Sequence, residues 1–269
     1  MAHMLPCYFH ISKGPNLEFP NTCSHGRKIG GRKLAPGGSR GCVVQRCTVS
    51  STPTSSVAKE PLLFENNTRS DEDKECLVNE FGWKVRKLAR DEHEMREVSQ
   101  IQAEAFHTPM AIFDDFFFQF FKAEVLAGLL YKLRNSPPDR YACLVAEPAV
   151  DSSESESKLV GVVDATAVRD EDVLQYLNGA EEYLYISGIA VSKSFRRQKI
   201  GSVLLKACDV LSISLGFEYL VLRAYEDDIG ARRLYTNAGY KVISTDPHWV
   251  TLIGRKRRVL MIKQPNLLA

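Results

Sequence analysis

Hydrophobic spacing divides the chain beyond residue 82 into short strands and amphipathic helices. Trp83-Lys84-Val85-Arg86-Lys87-Leu88 alternates as a first strand, and Met95, Val98, Ile101 and Ala105 recur at helical steps through Asp91–Phe106, with Asp91 placed to cap that helix. After Pro109 a second helical region carries Phe113, Phe116, Phe117, Phe118, Phe120 and Phe121. Tyr141–Ala146 and Leu159–Ala167 are β-rich runs around the Ser/Glu-rich turn Asp151–Lys158, which predicts an antiparallel hairpin. Tyr183–Val191 reads as a strand, and Ile200, Val203, Leu204, Ala207, Val210, Leu211 and Leu215 form the apolar face of a helix stopped by Gly216. A strand at Glu218–Ala224, a short helix from Asp228 ended by Gly239, and strands at Tyr240–Ser244 and Val259–Lys263 complete the order β-α-α-β-β-β-α-β-α-β-β.

The segment Ile189 to Ser202 carries the most chemistry, because an apolar strand passes through the basic turn Arg196-Arg197-Gln198-Lys199 straight into a helix. A helix start offers unpaired N–H groups and the positive end of the dipole, so a strand, turn and helix of this kind suits a pyrophosphate.

These residues resemble the GNAT superfamily of acyl-CoA-dependent N-acetyltransferases. Its pyrophosphate loop, Arg/Gln-x-x-Gly-x-Gly/Ala, is matched at both ends by Arg196 and Gly201, with Lys199 where the middle glycine stands. Its downstream signature, Asn-x-x-Ala-x-x-Leu-Tyr-x-x-x-Gly-Phe, is met by Asp228, Ala231, Leu234, Tyr235, Gly239 and Tyr240, with Asp228 in place of the asparagine. The resemblance spans about Trp83 to Gln264 and is sharpest over Tyr183–Tyr240. It implies an α/β GNAT fold: a twisted, mixed, mostly antiparallel sheet of about seven strands flanked by about four helices. It also implies acetyl-CoA as cosubstrate, with no metal, held by Ile189, Ala190, Val191, Arg196, Arg197, Gln198, Lys199, Ile200, Gly201, Ser202, Asp228, Ile229, Gly230 and Tyr235.

Composition bounds the rest of the picture. The chain has 269 residues and 44% hydrophobic content, enough for one sizeable core plus a leader. Residues 1–59 hold Lys13, Arg27, Lys28, Arg32, Lys33, Arg40, Arg46 and Lys59 against the single acid Glu18. With a net charge of +2 for the whole chain, the remainder is acidic. The leader is rich in Ser, Thr, Gly and Pro and has no apolar run, a composition expected of a transit peptide for plastid import, with mitochondrial import as second choice. The other reading of so basic a tail is disorder that binds partners. Residues 60–82, polar and acidic around Asp71-Glu72-Asp73-Lys74-Glu75, are expected to form a linker, and 83–269 the GNAT domain.

Cys7, Cys23, Cys42 and Cys47 lie in the leader, while Cys76, Cys143 and Cys208 stand singly, which speaks against a zinc site or a disulfide framework. The most apolar long stretch, Ala111–Tyr131, contains Asp114, Asp115, Lys122 and Glu124 and is a poor membrane span. Arg255-Lys256-Arg257-Arg258 is either an attraction for acidic ligands or a solvated hairpin end, and it lacks the interleaved aromatics of a nucleic-acid surface. Neither membrane nor nucleic acid is expected as a partner.

Moving an acetyl group from a thioester to an amine needs a stabilised oxyanion, a neutral amine and a proton for the thiolate. Gly188, inside an apolar strand, signals a bulge, which makes the amides of Ile189 and Val191 candidate donors, against the plainer reading of a packing glycine. The resemblance maps the general acid onto Tyr235. A phenol at about 10 gives its proton to a thiolate near 8.5 uphill by roughly 2 kcal/mol unless the site assists. For deprotonating the amine, Tyr185 stands first, since N-terminal acetyltransferases of the superfamily have a similar tyrosine before the bulge. Glu181, Glu182 and His248 are the alternatives. The phenylalanine-rich region reads as core, or as a wall of the acceptor site. Lys199 adds a charge to the phosphate turn, and Asp228 can accept but not donate a hydrogen bond.

The resemblance, closest to plant plastid enzymes of this superfamily, implies protein N-terminal α-amines and lysine ε-amines as acceptors, acetylated by direct attack in a ternary complex. A small-amine acetyltransferase acting on arylalkylamines such as serotonin, or on polyamines, is the alternative. A non-catalytic acetyl-CoA-binding module is the alternative of another class.

Overall fold

The computed structural model describes residues 75–109, 113–149 and 158–266. The expected leader, most of the expected linker and the Ser/Glu-rich turn lie outside these residues. Eight strands form one sheet in the order β1-β2-β3-β4-β5-β6-β8-β7: β1 Cys76–Glu80, β2 Trp83–Lys87, β3 Tyr141–Pro148, β4 Gly161–Val168, β5 Tyr183–Val191, β6 Leu220–Tyr225, β7 Lys241–Thr245 and β8 Arg258–Lys263. Every neighbouring pair is antiparallel except β5 and β6. The helices are α1 Glu92–Phe106, α2 Asp114–Asn135, α3 Glu171–Leu174, α4 Ile200–Ser214, α5 Ile229–Asn237 and α6 Trp249–Leu252.

Two details correct the sequence reading. The sheet has eight strands rather than about seven, because Cys76–Glu80, assigned above to a linker running to residue 82, pairs with β2 through the turn Phe81-Gly82. Both turn residues have positive φ (53° and 80°), as a two-residue hairpin loop requires. Lying at the sheet edge, β1 buries just Val78, so its apolar signal is weak. Among the described residues the helices number six rather than about four, since α3 and α6 are single turns of four residues each, too short for a period to register.

Alternation along the strands builds a two-sided core. Leu184, Ile186, Leu220, Leu222 and Met261 pack with Val203, Leu204 and Leu211 of α4 on one face. On the other face Tyr141, Cys143, Val145 and Val162 pack under Val98 and Ile101 of α1 and Leu129 of α2, while Tyr183, Val221 and Leu260 pack beside Val173 of α3. The predicted cap is present: the Asp91 carboxylate accepts the N–H groups of His93 and Glu94 at 3.0 and 3.2 Å. Buried Arg86 ties the start of α1 to the sheet, its guanidinium reaching Glu94 at 2.7 Å and Glu147 of β3 at 2.9 Å. On β4, a Cβ at Gly161 would lie 2.9 Å from Ile200 Cγ2, so the absent side chain lets the first turn of α4 sit close to the sheet.

Candidate active site

The site grows from a fault in the sheet. The β5–β6 ladder contains Leu184 opposite Leu220 and Tyr185 opposite Val221 and goes no further, although β5 runs on to Val191 and β6 to Tyr225. Past Tyr185 the sheet is therefore open between these strands.

On its other side β5 pairs with β4, and the register shifts: Asp164 faces Ser187, but Val162 faces Ala190. Gly188 and Ile189 thus oppose Val163 alone, a bulge, with Gly188 at φ 61°. The bulge inverts the hydrogen-bonding phase of the strand. Leu184 donates its N–H away from β4, to Tyr219 O at 3.0 Å, whereas Ser192, of the same parity, donates towards the β4 side, to Val160 O at 2.9 Å. Because N–H direction alternates along a strand, Ala190 shares the direction of Ser192, and Ile189 and Val191 send their N–H groups into the opening. Of the three residues expected there, two supply open amides, while the Ala190 side chain is buried against α1 and α2.

Beyond β5 a 3-10 turn, Lys193–Phe195, leads into the basic stretch. Arg197 and Lys199 take left-handed φ values of 67° and 70°. The second lies where the resembled pattern has glycine, the residue that adopts this conformation without steric cost. Two contacts from β2 fix the turn: Trp83 Nε1 donates to Gln198 O at 2.9 Å, and its ring meets Phe195 edge-on at 5.9 Å. Arg196 folds back, its Nε donating to Val191 O at 3.2 Å. Arg196, Arg197, Gln198 and Lys199 are all exposed, and α4 begins at Ile200 with no side chain capping it. The Ile200 side chain is buried, so its backbone alone faces the turn. Gly201 lets α5 approach, since a Cβ there would stand 3.0 Å from Leu234 Cδ2.

Asp228 caps α5 by accepting the Ala231 N–H at 2.9 Å, a role that asparagine fills equally well, and Ile229 and Gly230 form the exposed first turn. Tyr235, one turn further on, is buried with its ring 6.2 Å from that of Tyr240. Burial above all, then the charges of Asp228 and Tyr185, raises its phenol well above the ordinary value. Tyr235 belongs to the core cluster under α4 and half-buried Tyr185 packs on the cluster of the opposite face. Among the alternatives for the amine, Glu182 is paired with Arg140, and Glu181 and His248 are exposed.

Other expected features resolve as follows. The phenylalanines divide: Phe118 and Phe121 pack on His107, while Phe113, Phe116, Phe117 and Phe120 are exposed and are not core. Three of the four cations of the basic run are engaged, Lys256 with Asp227 at 2.9 Å, Arg257 with Glu226 at 2.8 Å and Arg258 with Asp246 at 3.3 Å, and they hold the loop that leads to Asp228. Two features escaped the sequence reading. One is the Trp83 bond, which joins residues far apart in sequence and leaves no local signal. The other is a buried polar group under the bulge, centred on Asp164; its trace was a single acid inside the apolar run Val162-Val163-Asp164-Ala165.

The profile of the acetyltransferase (GNAT) family matches residues 103–240. The chain belongs to this family. A curated relative, the "GCN5-related N-acetyltransferase 10, chloroplastic" of Arabidopsis thaliana, is 55% identical over 267 residues, covering 98% of this chain and 99% of that protein. The fold is shared with Arabidopsis thaliana NAA60 crystallised with acetyl-CoA, at TM-score 0.50 and 16% identity over 68% of this chain and 98% of that one. A second crystal structure of NAA60, with a bisubstrate analogue, aligns at TM-score 0.50 over 68% of this chain and 97% of that one. This GNAT chain is accordingly a plastid acetyltransferase, in agreement with the import expected from its basic leader.

Proposed function

We propose that this acetyltransferase moves the acetyl group of acetyl-CoA to protein N-terminal α-amines and lysine ε-amines in the plastid, by direct attack within a ternary complex. The observation that carries the reading is the open edge of β5, where the Ile189 and Val191 amides line a gap that has Tyr185 on one face and Tyr235 on the other. The residues fit acetyl-CoA. The uncapped start of α4, the left-handed turn and the cations Arg196, Arg197 and Lys199 suit its pyrophosphate. The pantetheine amides would suit the free edge of β5, and Asp228 would accept from any pantetheine N–H brought to the start of α5. The Ile189 N–H would meet the oxyanion that forms as the amine attacks the carbonyl carbon. Burial keeps Tyr235 protonated and also makes it a weaker acid, so it would stabilise the departing thiolate by a hydrogen bond rather than by full proton transfer, and the thiolate would take its final proton from the one the amine releases. Tyr185, in its phenolate form, would accept the amine proton, directly or through water. The domain bounds that go with this reading are a leader at 1–59, a linker ending before Cys76, and the catalytic domain thereafter.

A protein acceptor is supported by the exposed apolar side chains of α2 and of the α6 segment, Phe116, Phe120, Trp249 and Leu252, which suit an extended peptide. A polyamine would call for several free carboxylates, and of the acids beside β5 Asp164 and Glu182 each engage a cation, which leaves Glu181 alone exposed there. The exposed phenylalanines also favour a second reading, an arylalkylamine acceptor. Loss of turnover, as in a pure acetyl-CoA-binding module, is opposed by the retained Tyr235.

Mass spectrometry of acetyl transfer to free-N-terminal peptides, to N-blocked lysine peptides and to serotonin tests these readings. Transfer to both peptide classes that drops in Tyr235→Phe is the expected result. Transfer to serotonin alone would replace it with the second reading, and acetyl-CoA binding without any transfer would overturn both.

A further inference from the structure

We propose that Gln102 is a positioning residue of the transfer site: held by Asp164, it fixes the Gly188–Ile189 peptide so that the Ile189 N–H points into the gap between β5 and β6. The inference rests on the function proposed above and concerns what aims its oxyanion donor.

Gln102 is fully buried on α1, and its Nε2 lies 3.1 Å from Asp164 Oδ2 and 3.3 Å from Gly188 O. A side-chain amide nitrogen carries two hydrogens, so one group serves both acceptors. The flipped amide would set its own oxygen against two acceptors, which fixes the orientation. The Gly188 carbonyl and the Ile189 N–H belong to one planar trans peptide and point in opposite directions. Pulling the carbonyl towards α1 therefore turns the N–H away from it.

The anchor answers a local weakness. The bulge takes this peptide out of the β4 ladder, and glycine at φ 61° rotates with little steric resistance. Nothing in the strand itself would hold the donor to one direction. Asp164 is in turn held from two further elements: Tyr141 on β3 donates to its Oδ1 at 2.5 Å, and Lys132 on α2 brings its ammonium to 3.9 Å of Oδ2 while lying 5.4 Å from the Tyr141 ring centroid. A buried charge with so many partners is a poor means of stabilising a core, because apolar residues of similar size do as well. Its placement opposite Ser187, one step from the bulge, is what sets it apart.

The test compares wild type with Gln102→Met, which keeps the side-chain length and removes both hydrogen bonds, and uses Gln102→Leu should the methionine variant fail to fold. Misaiming an oxyanion donor should lower kcat on the order of 10²-fold. CoA affinity by calorimetry should stay within about threefold, because binding uses the phosphate turn. The amide ¹⁵N–¹H resonance of Ile189 should also move in the variant. Adding Asp164→Asn to Gln102→Met should slow turnover no further, since Asp164 acts through Gln102. A folded variant with wild-type kcat and an unmoved Ile189 resonance would overturn the proposal, as would parallel losses of kcat and CoA affinity. Were wild type to transfer acetyl to no amine, the proposed function would fall, and the Ile189 resonance would still decide whether Gln102 anchors the peptide.

Discussion

Trp83 on β2 donates its indole N–H to the carbonyl oxygen of Gln198 at 2.9 Å, across 115 residues of sequence. The acceptor lies between two left-handed residues, Arg197 and Lys199, in a turn whose other side chains are exposed. The strand β2, next to the sheet edge, thus holds the turn proposed to carry the pyrophosphate, and this end of the sheet and the phosphate turn are mechanically linked.

Trp83→Phe preserves an aromatic contact with Phe195 and removes the hydrogen bond. Stability should fall by about 1 kcal/mol. The loosened turn should raise the KM for acetyl-CoA several-fold while kcat changes little, since the reacting atoms lie elsewhere. Steady-state kinetics with acetyl-CoA varied at saturating peptide checks this. A fall in kcat at constant KM would sever the turn from cofactor binding.

Lys199 at φ 70° carries strain that glycine would not. Lys199→Gly should raise stability by about 1 kcal/mol, the typical steric penalty of a side chain in the left-handed region. It should also remove a cation from the turn, weakening acetyl-CoA binding at low ionic strength, with the difference fading near 1 M salt. Thermal denaturation reads the first effect and titrations at two salt concentrations read the second. A lower melting temperature would show that the lysine side chain makes contacts worth more than the strain.

Much of this was legible in the sequence. The two matching patterns identified the family because each glycine and apolar position reports a local requirement. Gly188 signalled the bulge, and Asp91 and Gly216 marked helix ends that are present as expected. What the sequence hid depends on partners distant along the chain. Gln102, Tyr141, Lys132 and Asp164 meet from four elements, and each alone resembles an ordinary surface or strand residue. The edge strand β1 was hidden for the opposite reason, since an edge buries little and needs no apolar run. The basic run near residue 256 looked available for ligands until its acids, contributed by another loop, were brought beside it.

Tyr235→Phe removes the proposed hydrogen-bond donor to the thiolate while leaving the ring against Tyr240. The fold should hold, with a melting temperature within about 2 °C of wild type, and kcat should fall about 10²-fold. Burial raises the Tyr235 phenol, so the protonated, donating form persists to higher pH than in a free tyrosine. The wild-type kcat should therefore show no loss from phenol ionisation up to about pH 10, the ordinary tyrosine value. A decline in kcat centred below pH 9 that disappears in Tyr235→Phe would contradict this assignment of the environment.

Protonation of Glu147 should weaken the domain in acid. Burial pushes its pKa up, but the hydrogen bonds and charges of Arg86, and then of Lys84, prevail and leave it below the ordinary glutamate value. A carboxylate depressed in the folded state contributes stability that is present above its unfolded pKa of about 4.3 and is lost as the pH falls through the lower folded value. Its protonation takes one of two carboxylates from buried Arg86, and Arg86 also holds Glu94 on the helix that carries Gln102. Glu147→Gln should therefore be less stable than wild type at pH 7, by about 3 kcal/mol if the pair behaves as buried ion pairs do when one partner is removed. It should also lose less of its remaining stability between pH 5 and pH 3. Melting temperatures across that range decide the matter, because equal slopes in the two proteins would mean that other carboxylates govern acid unfolding.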